Sequence, residues 1–179
     1  MHQVLTPEIR RHKNFTLYTV TSTFQPHWIM DKLSDILARA AQRSQAAARS
    51  YEGEVTPQEA FEILKLTPGA KLVDVRTRAE WDWVGRVPDS IEIEWNQYPG
   101  NIRNPQFLSE LKARLEPGAL ILFLCRSGVR SVAAASAATE AGFAHCYNIL
   151  EGFEGDKDGD SHRNNIGGWR KAGLPWTQG

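Results

Sequence analysis

The chain has 179 residues, of which 41% are hydrophobic and 23% charged, with 21 basic against 21 acidic side chains. This length suffices for one ordinary domain with its own core, and two cysteines exclude a disulfide scaffold. The longest apolar run, from Ala119 to Cys125, is much shorter than the roughly 20 residues that a membrane-spanning helix needs. The first fifty residues carry seven basic and three acidic groups and the rest 14 and 18, so neither part is basic enough to predict nucleic-acid binding.

The chain before residue 51 is expected to differ from the rest. Residues 1–30 show no sustained hydrophobic period, and we predict a poorly ordered extension there. Segment 31–50 contains apolar residues at helical spacing, namely Leu33, Ile36, Leu37, Ala40 and Ala41. This pattern predicts an amphipathic helix over 31–49 and a short linker. Two alternatives remain for its narrow apolar stripe: packing on the following domain of the same chain, or a homodimer formed with a second copy.

Residues 51–179 are predicted to form one compact domain in which helices and strands alternate. It begins with a capping box, in which Thr56 caps a helix and Glu59 reaches back to it. The predicted elements are helix 57–65, strand 71–75, helix 77–83, strand 91–95, helix 105–115, strand 119–124, helix 131–141 and strand 146–150. Strands that alternate with helices predict an α/β fold with a parallel sheet covered by helices. The apolar segment 119–124 is typical of its central strand.

The candidate nucleophile, Cys125, follows this central strand directly. Ligands bind at the carboxyl edge of such sheets, and the N–H groups at the start of the next helix favour anions. The following residues are predicted to form an anion cradle around the sulfur: Arg126, Ser127, Gly128, Val129, Arg130 and Ser131. Gly128 permits the loop to curl. The two arginines add positive charge that favours the nucleophilic thiolate and attracts an anionic substrate.

The loop from Cys125 to Arg130 resembles the active loop of the rhodanese, or sulfurtransferase, family. Other similar segments are 72–76 with Glu80, Gly85-Arg86-Val87-Pro88, Glu151-Gly152-Phe153, and Trp169 with 172–175. The resemblance covers about residues 52–177. Two departures stand out, because Arg86 replaces the family's usual His and Asp89-Ser90 replaces its usual Gly-Ala.

The resemblance implies a rhodanese-like fold, in which a small parallel sheet has helices on both faces; here the N-terminal helix precedes it. It also implies a persulfide on Cys125. The sulfur would come from a small anionic donor such as thiosulfate and would then be transferred to an acceptor, either a thiol or cyanide. Neither a cofactor nor a metal is expected. Neither a nucleic acid nor a membrane is expected as a binding partner. A reduced nucleophile and few cysteines together predict a cytoplasmic location.

Two other functions remain as alternatives. A phosphatase or arsenate reductase also uses a cysteine and an arginine around a helix N-terminus. Cysteine phosphatases, however, have a longer loop than the four residues that separate Cys125 from Arg130. A non-catalytic binding module is the second alternative, although such modules commonly lack the cysteine that this chain retains.

Several further residues are interpreted as structural. Asp74, Arg76 and Glu80 have a spacing that suits a supporting ion pair at the end of a strand. Cys146 lies near the start of its strand and is predicted to be a core residue. The polar segment 154–168 is predicted to be a solvated loop without a metal, because its aspartates lack the glycine of a calcium loop. Three tryptophans are expected to be core and rim aromatics, namely Trp81, Trp83 and Trp95.

Overall fold

Helices and strands alternate along residues 27–178, which are the residues that the computed structural model describes. The helices are α1 (His27–Ala46), α2 (Pro57–Leu66), α3 (Arg78–Val84), α4 (Phe107–Arg114) and α5 (Val129–Glu140). The strands are β1 (Gly53–Val55), β2 (Lys71–Asp74), β3 (Ile91–Glu92), β4 (Asn96–Gln97), β5 (Ile102–Arg103), β6 (Leu120–Leu124) and β7 (His145–Ile149). In this part of the chain, no helix is both long enough and apolar enough to cross a membrane.

Five of the strands form one parallel sheet in the order β1-β7-β6-β2-β3. The central strand is β6, as the sequence predicts, and its residue Leu124 lies beside Asp74 of β2. Strands β4 and β5 form a separate antiparallel hairpin. Because every strand of the main sheet runs the same way, the loop after β6 emerges at the carboxyl edge, where α/β sheets bind ligands.

Helices cover both faces of the sheet, which confirms the predicted α/β architecture. Successive residues of β6 point to opposite faces. Ile121 and Phe123 join a core that contains Phe107 and Leu111 of α4 together with alanines of α5. The residues of the opposite core come from β6, α1 and α2, namely Leu122, Leu124, Ile36, Ala40, Ala60 and Ile63. The sheet is therefore buried between two apolar layers.

Helix α1 packs on the domain that follows it in the same chain. Ala40 is fully buried, and a Cβ built at Gly53 would lie only 2.8 Å from its Cβ atom. The Arg43 guanidinium donates to both carboxylate oxygens of Glu59, at 2.6 and 3.0 Å, and to the carbonyl of Glu54 at 2.9 Å. Of the two alternatives for the apolar stripe, the structure shows packing within the chain.

The observed elements differ from the predicted ones in several bounds. Helix α1 begins at His27, inside the segment 1–30 that was expected to be poorly ordered; residues 1–26 lie outside the described residues. Strand β1 and the β4–β5 hairpin were not predicted, and the strand expected over 91–95 is only two residues long. Segments of two or three residues are too short to show a hydrophobic period. The buried strand β1 forms because α1 and β7 pack around it.

Candidate active site

The side chain of Cys125 lies where β6 ends and the loop to α5 begins. It is only 1% exposed. Its Sγ atom accepts hydrogen bonds from the backbone N–H of Gly128 at 3.1 Å and from the hydroxyl of Ser131 at 3.2 Å. Gly128 precedes α5 with a φ of +89°, a conformation that favours glycine. Two donors and the positive end of a helix dipole therefore surround the sulfur, as an anionic sulfur requires.

A cavity of about 730 Å³ opens above this sulfur at the carboxyl edge of the sheet. Its walls come from α3, from the β4–β5 hairpin and from the active loop. The predicted site residues that line it are Cys125, Arg126, Ser127, Val129 and Arg130. Gly128 and Ser131 are buried beneath the loop and contact the sulfur. The structure thus brings together Cys125 and all six residues that the sequence assigned to the cradle.

Arg130 is held by Glu80 of α3. Two hydrogen bonds of 2.7 and 2.8 Å join its guanidinium to the two carboxylate oxygens, and both side chains are less than one-fifth exposed. Burial alone would raise the pKa of the Glu80 carboxyl, but the hydrogen bonds and charge of Arg130, with help from Thr77, lower it to about 2. Burial would lower the pKa of the Arg130 guanidinium, but Glu80 raises it above its ordinary value. The charge of Arg130 is therefore neutralised within the site.

Asp74 and Arg76 form a separate, fully buried ion pair, with 2.6 Å between Nη2 and Oδ2. The same nitrogen donates to the carbonyl of Gly85 at 2.7 Å, and the guanidinium lies 4.0 Å from the centre of the Phe153 ring. This pair links β2 to the end of α3 and to Phe153 in residues 151–154 after β7, which we call the closing segment. The sequence grouped Glu80 with these two residues, whereas the structure places it on Arg130 and on the N-cap residue Thr77.

Arg126 is the remaining charged side chain of the cavity. It is exposed, and within residues 27–178 it has no ion-pair partner. The sequence predicted two arginines that attract an anion. Because Glu80 neutralises Arg130, the net positive charge at the cavity mouth comes from Arg126.

The closing segment supports the active loop from behind. The N–H of Phe153 donates to the carbonyl of Cys125 at 2.8 Å, and the N–H of Glu154 donates to the carbonyl of Arg126 at 2.9 Å. Gly152 lies so close that a Cβ added to it would be 2.4 Å from the Cys125 carbonyl oxygen. The position of Cys125 therefore depends on residues that lie 27 to 29 positions later in the chain.

Other residues singled out in the sequence lie away from the chemistry. Cys146 is fully buried in β7, and burial raises the pKa of its thiol to about 11, which confirms it as a core residue. The Asp158 carboxylate accepts the backbone N–H groups of Asp160 and His162 and so organises its own loop. Among the described residues, no group of three or more His, Cys, Asp or Glu side chains could hold a metal ion.

The β4–β5 hairpin and Trp83 contribute to the cavity in a way that the sequence did not indicate. Trp81 is buried and Trp95 stacks against Arg103, whereas Trp83 is 78% exposed at the cavity rim. The hairpin adds Asn96, Gln97, Tyr98 and Asn101 to the wall. The one available signal was composition, because residues 96–105 are rich in Asn and Pro. Such residues are typical of turns and loops, and binding residues are common on loops.

Replacing Glu80 by glutamine should reduce the stability of the fold in a pH-dependent way. The carboxyl has a lower pKa when folded, about 2, than in an unfolded chain, about 4.3. The ion pair therefore stabilises the fold fully above pH 5, and this contribution is lost as the pH falls towards 2. We expect the free energy of urea unfolding of the variant at pH 7 to be about 2–3 kcal/mol below that of the unchanged chain, and this difference should become smaller below about pH 5. An equal loss at pH 7 and pH 3 would contradict this account.

Comparison with known proteins now identifies the family. A model of the rhodanese-like domain matches residues 56–158, more than half of the chain. The chain belongs to the rhodanese-like domain family.

Individual relatives agree with this assignment. An uncharacterized protein of Rickettsia conorii is 40% identical over 124 residues, which cover 66% of this chain and 91% of that protein. The crystal structure of Rv0390 from M. tuberculosis superposes with a TM-score of 0.67 at 47% identity, covering 73% of this chain and 100% of that one. The rhodanese-like domain of the Alr3790 protein from Anabaena, with a TM-score of 0.52 at 15% identity over 70% of this chain and 78% of that one, shares the fold.

Proposed function

We propose that the chain is a sulfurtransferase that moves a sulfane sulfur from an anionic donor such as thiosulfate to a thiol or to cyanide. The sulfur is carried as a persulfide on Cys125. The observation that supports this most directly is the position of Sγ, which faces the cavity and accepts hydrogen bonds from Gly128 and Ser131. Such donors stabilise an anionic sulfur in either the free or the persulfide form.

In the first step, the Cys125 thiolate attacks the outer sulfur of thiosulfate. A new S–S bond forms on Cys125, the S–S bond of thiosulfate breaks, and sulfite leaves with the electron pair. Arg126 is placed to bind the anionic donor, because its charge at the cavity mouth is not neutralised within the described residues. Arg130 positions the loop through Glu80.

In the second step, the acceptor attacks the outer sulfur of the persulfide. Cyanide leaves as thiocyanate, or a thiolate leaves as a persulfide, and the electron pair of the broken S–S bond returns to Cys125. This is a two-step covalent exchange with one carrier residue. It consumes no external oxidant or reductant. The first step forms the Cys125 persulfide that the second step uses, and the second step returns the thiolate that the first step uses.

The same geometry disfavours the alternatives. Phosphoryl transfer would require Arg130 to bind the phosphate, but both of its terminal nitrogens already donate to Glu80. A purely binding function would not need a sulfur atom with two hydrogen-bond donors at the floor of a cavity. The mechanism also requires a reduced Cys125, so we place the protein in a reducing compartment such as the cytoplasm.

The test is the mass of the peptide that contains Cys125, measured after incubation with thiosulfate and again after cyanide is added. We expect a gain of one sulfur atom that cyanide removes as thiocyanate. If the peptide gains no sulfur while Cys125 still reacts with a thiol reagent, the proposed donor is wrong. If Cys125 gains no sulfur from polysulfide either, the proposed sulfurtransferase activity is wrong.

A further inference from the structure

Exposed apolar side chains cluster at the mouth of the cavity. Six large apolar side chains are strongly exposed among residues 29–178, and three of them line this cavity: Trp83, Val129 and Tyr98, at 78%, 74% and 70% exposure. They come from three different elements, namely α3, α5 and the β4–β5 turn. Apolar surface that gathers from separate elements around a nucleophile is typical of a binding site.

The size of the cavity indicates an organic molecule. Its volume of about 730 Å³ lies within the range of about 300–1,000 Å³ that is usual for organic ligands. A small inorganic anion such as thiosulfate or cyanide would leave Trp83 and Tyr98 without a contact. Asn96, Gln97 and Asn101 add neutral hydrogen-bonding groups to the same wall.

The charge of the cavity indicates a single anionic group on that molecule. Glu80 neutralises Arg130, and Arg126 is the remaining cation among the described residues that line the cavity. An acceptor with several carboxylates would find only one unneutralised cation, Arg126, among the described residues of the cavity wall. One carboxylate beside an apolar body matches the arrangement better.

We propose that the acceptor is a small organic thiol with an aromatic or branched apolar body and one carboxylate. This inference rests on the proposed function and names the substrate class of its second step. The apolar body contacts Trp83 and Tyr98, and the carboxylate contacts Arg126. The thiolate attacks the outer sulfur of the Cys125 persulfide, a new S–S bond forms on the acceptor, and the old one breaks with its electron pair returning to Cys125.

The test compares two probe thiols, N-phenylacetylcysteine and N-acetylcysteine, which share the thiol, amide and carboxylate and differ by a phenyl group. The protein is loaded with thiosulfate, and the loss of the added sulfur from Cys125 is followed by mass spectrometry at several thiol concentrations. We expect a half-saturating concentration about tenfold lower for the phenyl compound, which corresponds to about 1.4 kcal/mol, because the phenyl group gains an aromatic contact in addition to the apolar area that it buries.

Two variants and a matched control assign the preference to the rim. Trp83→Ala should remove most of the difference between the two thiols. Ile166→Ala also removes an exposed apolar side chain, but one outside the cavity, and it should keep the difference. Arg126→Gln should raise the half-saturating concentration of N-acetylcysteine and leave that of its uncharged amide nearly unchanged.

Each outcome separates this inference from the function on which it rests. If loading succeeds and the two thiols discharge Cys125 equally well, the inference is wrong and the sulfurtransferase activity stands. If a capped pentapeptide with Phe-Cys at its centre is preferred to N-phenylacetylcysteine, the acceptor is a protein and the inference is again wrong. If no sulfur is loaded, the proposed function fails and this inference fails with it.

Discussion

Cys125→Ser is expected to abolish persulfide formation and to reduce thiocyanate production from thiosulfate and cyanide by at least about 1,000-fold. A serine oxygen is a much weaker nucleophile at neutral pH and forms no persulfide. The fold should persist, because the hydroxyl can accept the same hydrogen bonds from Gly128 and Ser131. Thiocyanate production and the mass of the peptide that contains residue 125 measure the two effects separately.

The matched control is Cys146→Ser, the same substitution at the other cysteine within the described residues. Cys146 is fully buried, and its pKa of about 11 keeps it as a neutral thiol. Its sulfur lies 3.7 Å from the carbonyl of Phe143, to which a serine could donate. We expect sulfur loading close to that of the unchanged chain. If loading survived Cys125→Ser and disappeared in Cys146→Ser, the sulfur carrier would be Cys146 and the proposal for Cys125 would be wrong.

Four of the five strands of the main sheet could be predicted from the sequence because their signals are local. The capping box of Thr56 and Glu59 is present as predicted, with both hydrogen bonds formed. The apolar run before Cys125 forms the central strand, buried on both faces. Strand β1 and the β4–β5 hairpin could not be predicted in the same way, because their few residues are fixed by neighbours distant in the sequence rather than by a local pattern.

The active loop could also be predicted, but its charge could not. The residues from Cys125 to Ser131 are consecutive, so their order already indicated a cradle. The ion pair that neutralises Arg130 joins residues 50 positions apart, and no spacing rule links them. Trp83 was equally ambiguous, because a seven-residue helix such as α3 does not define which aromatic faces the core. The sequence thus located the candidate nucleophile, whereas the structure shows the unneutralised cation and the exposed apolar side chains that we propose select substrates.

Gly152→Ala is expected to destabilise the fold by on the order of 3 kcal/mol and to displace the nucleophile. Gly152 has a φ of +61°, and an added Cβ would lie 2.4 Å from the Cys125 carbonyl oxygen and 2.7 Å from the Ser127 nitrogen. These neighbours are backbone atoms of the active loop, so relief of the clash requires the loop itself to move. Urea unfolding should show the loss of stability, and the rate of sulfur loading should fall in urea-free buffer, at a temperature where the variant is still folded.

Gly159→Ala is the matched control, because no atom lies within 4 Å of the Cβ position and the backbone is not in the left-handed region. It should change the free energy of unfolding by no more than about 0.5 kcal/mol and leave sulfur loading unchanged. Gly152→Ala could lower the free energy of unfolding while its folded fraction still loads sulfur at the normal rate. In that case the closing segment would stabilise the fold but would not position Cys125. Equal behaviour of the two alanine variants would show that the contact between Gly152 and the active loop has no energetic role.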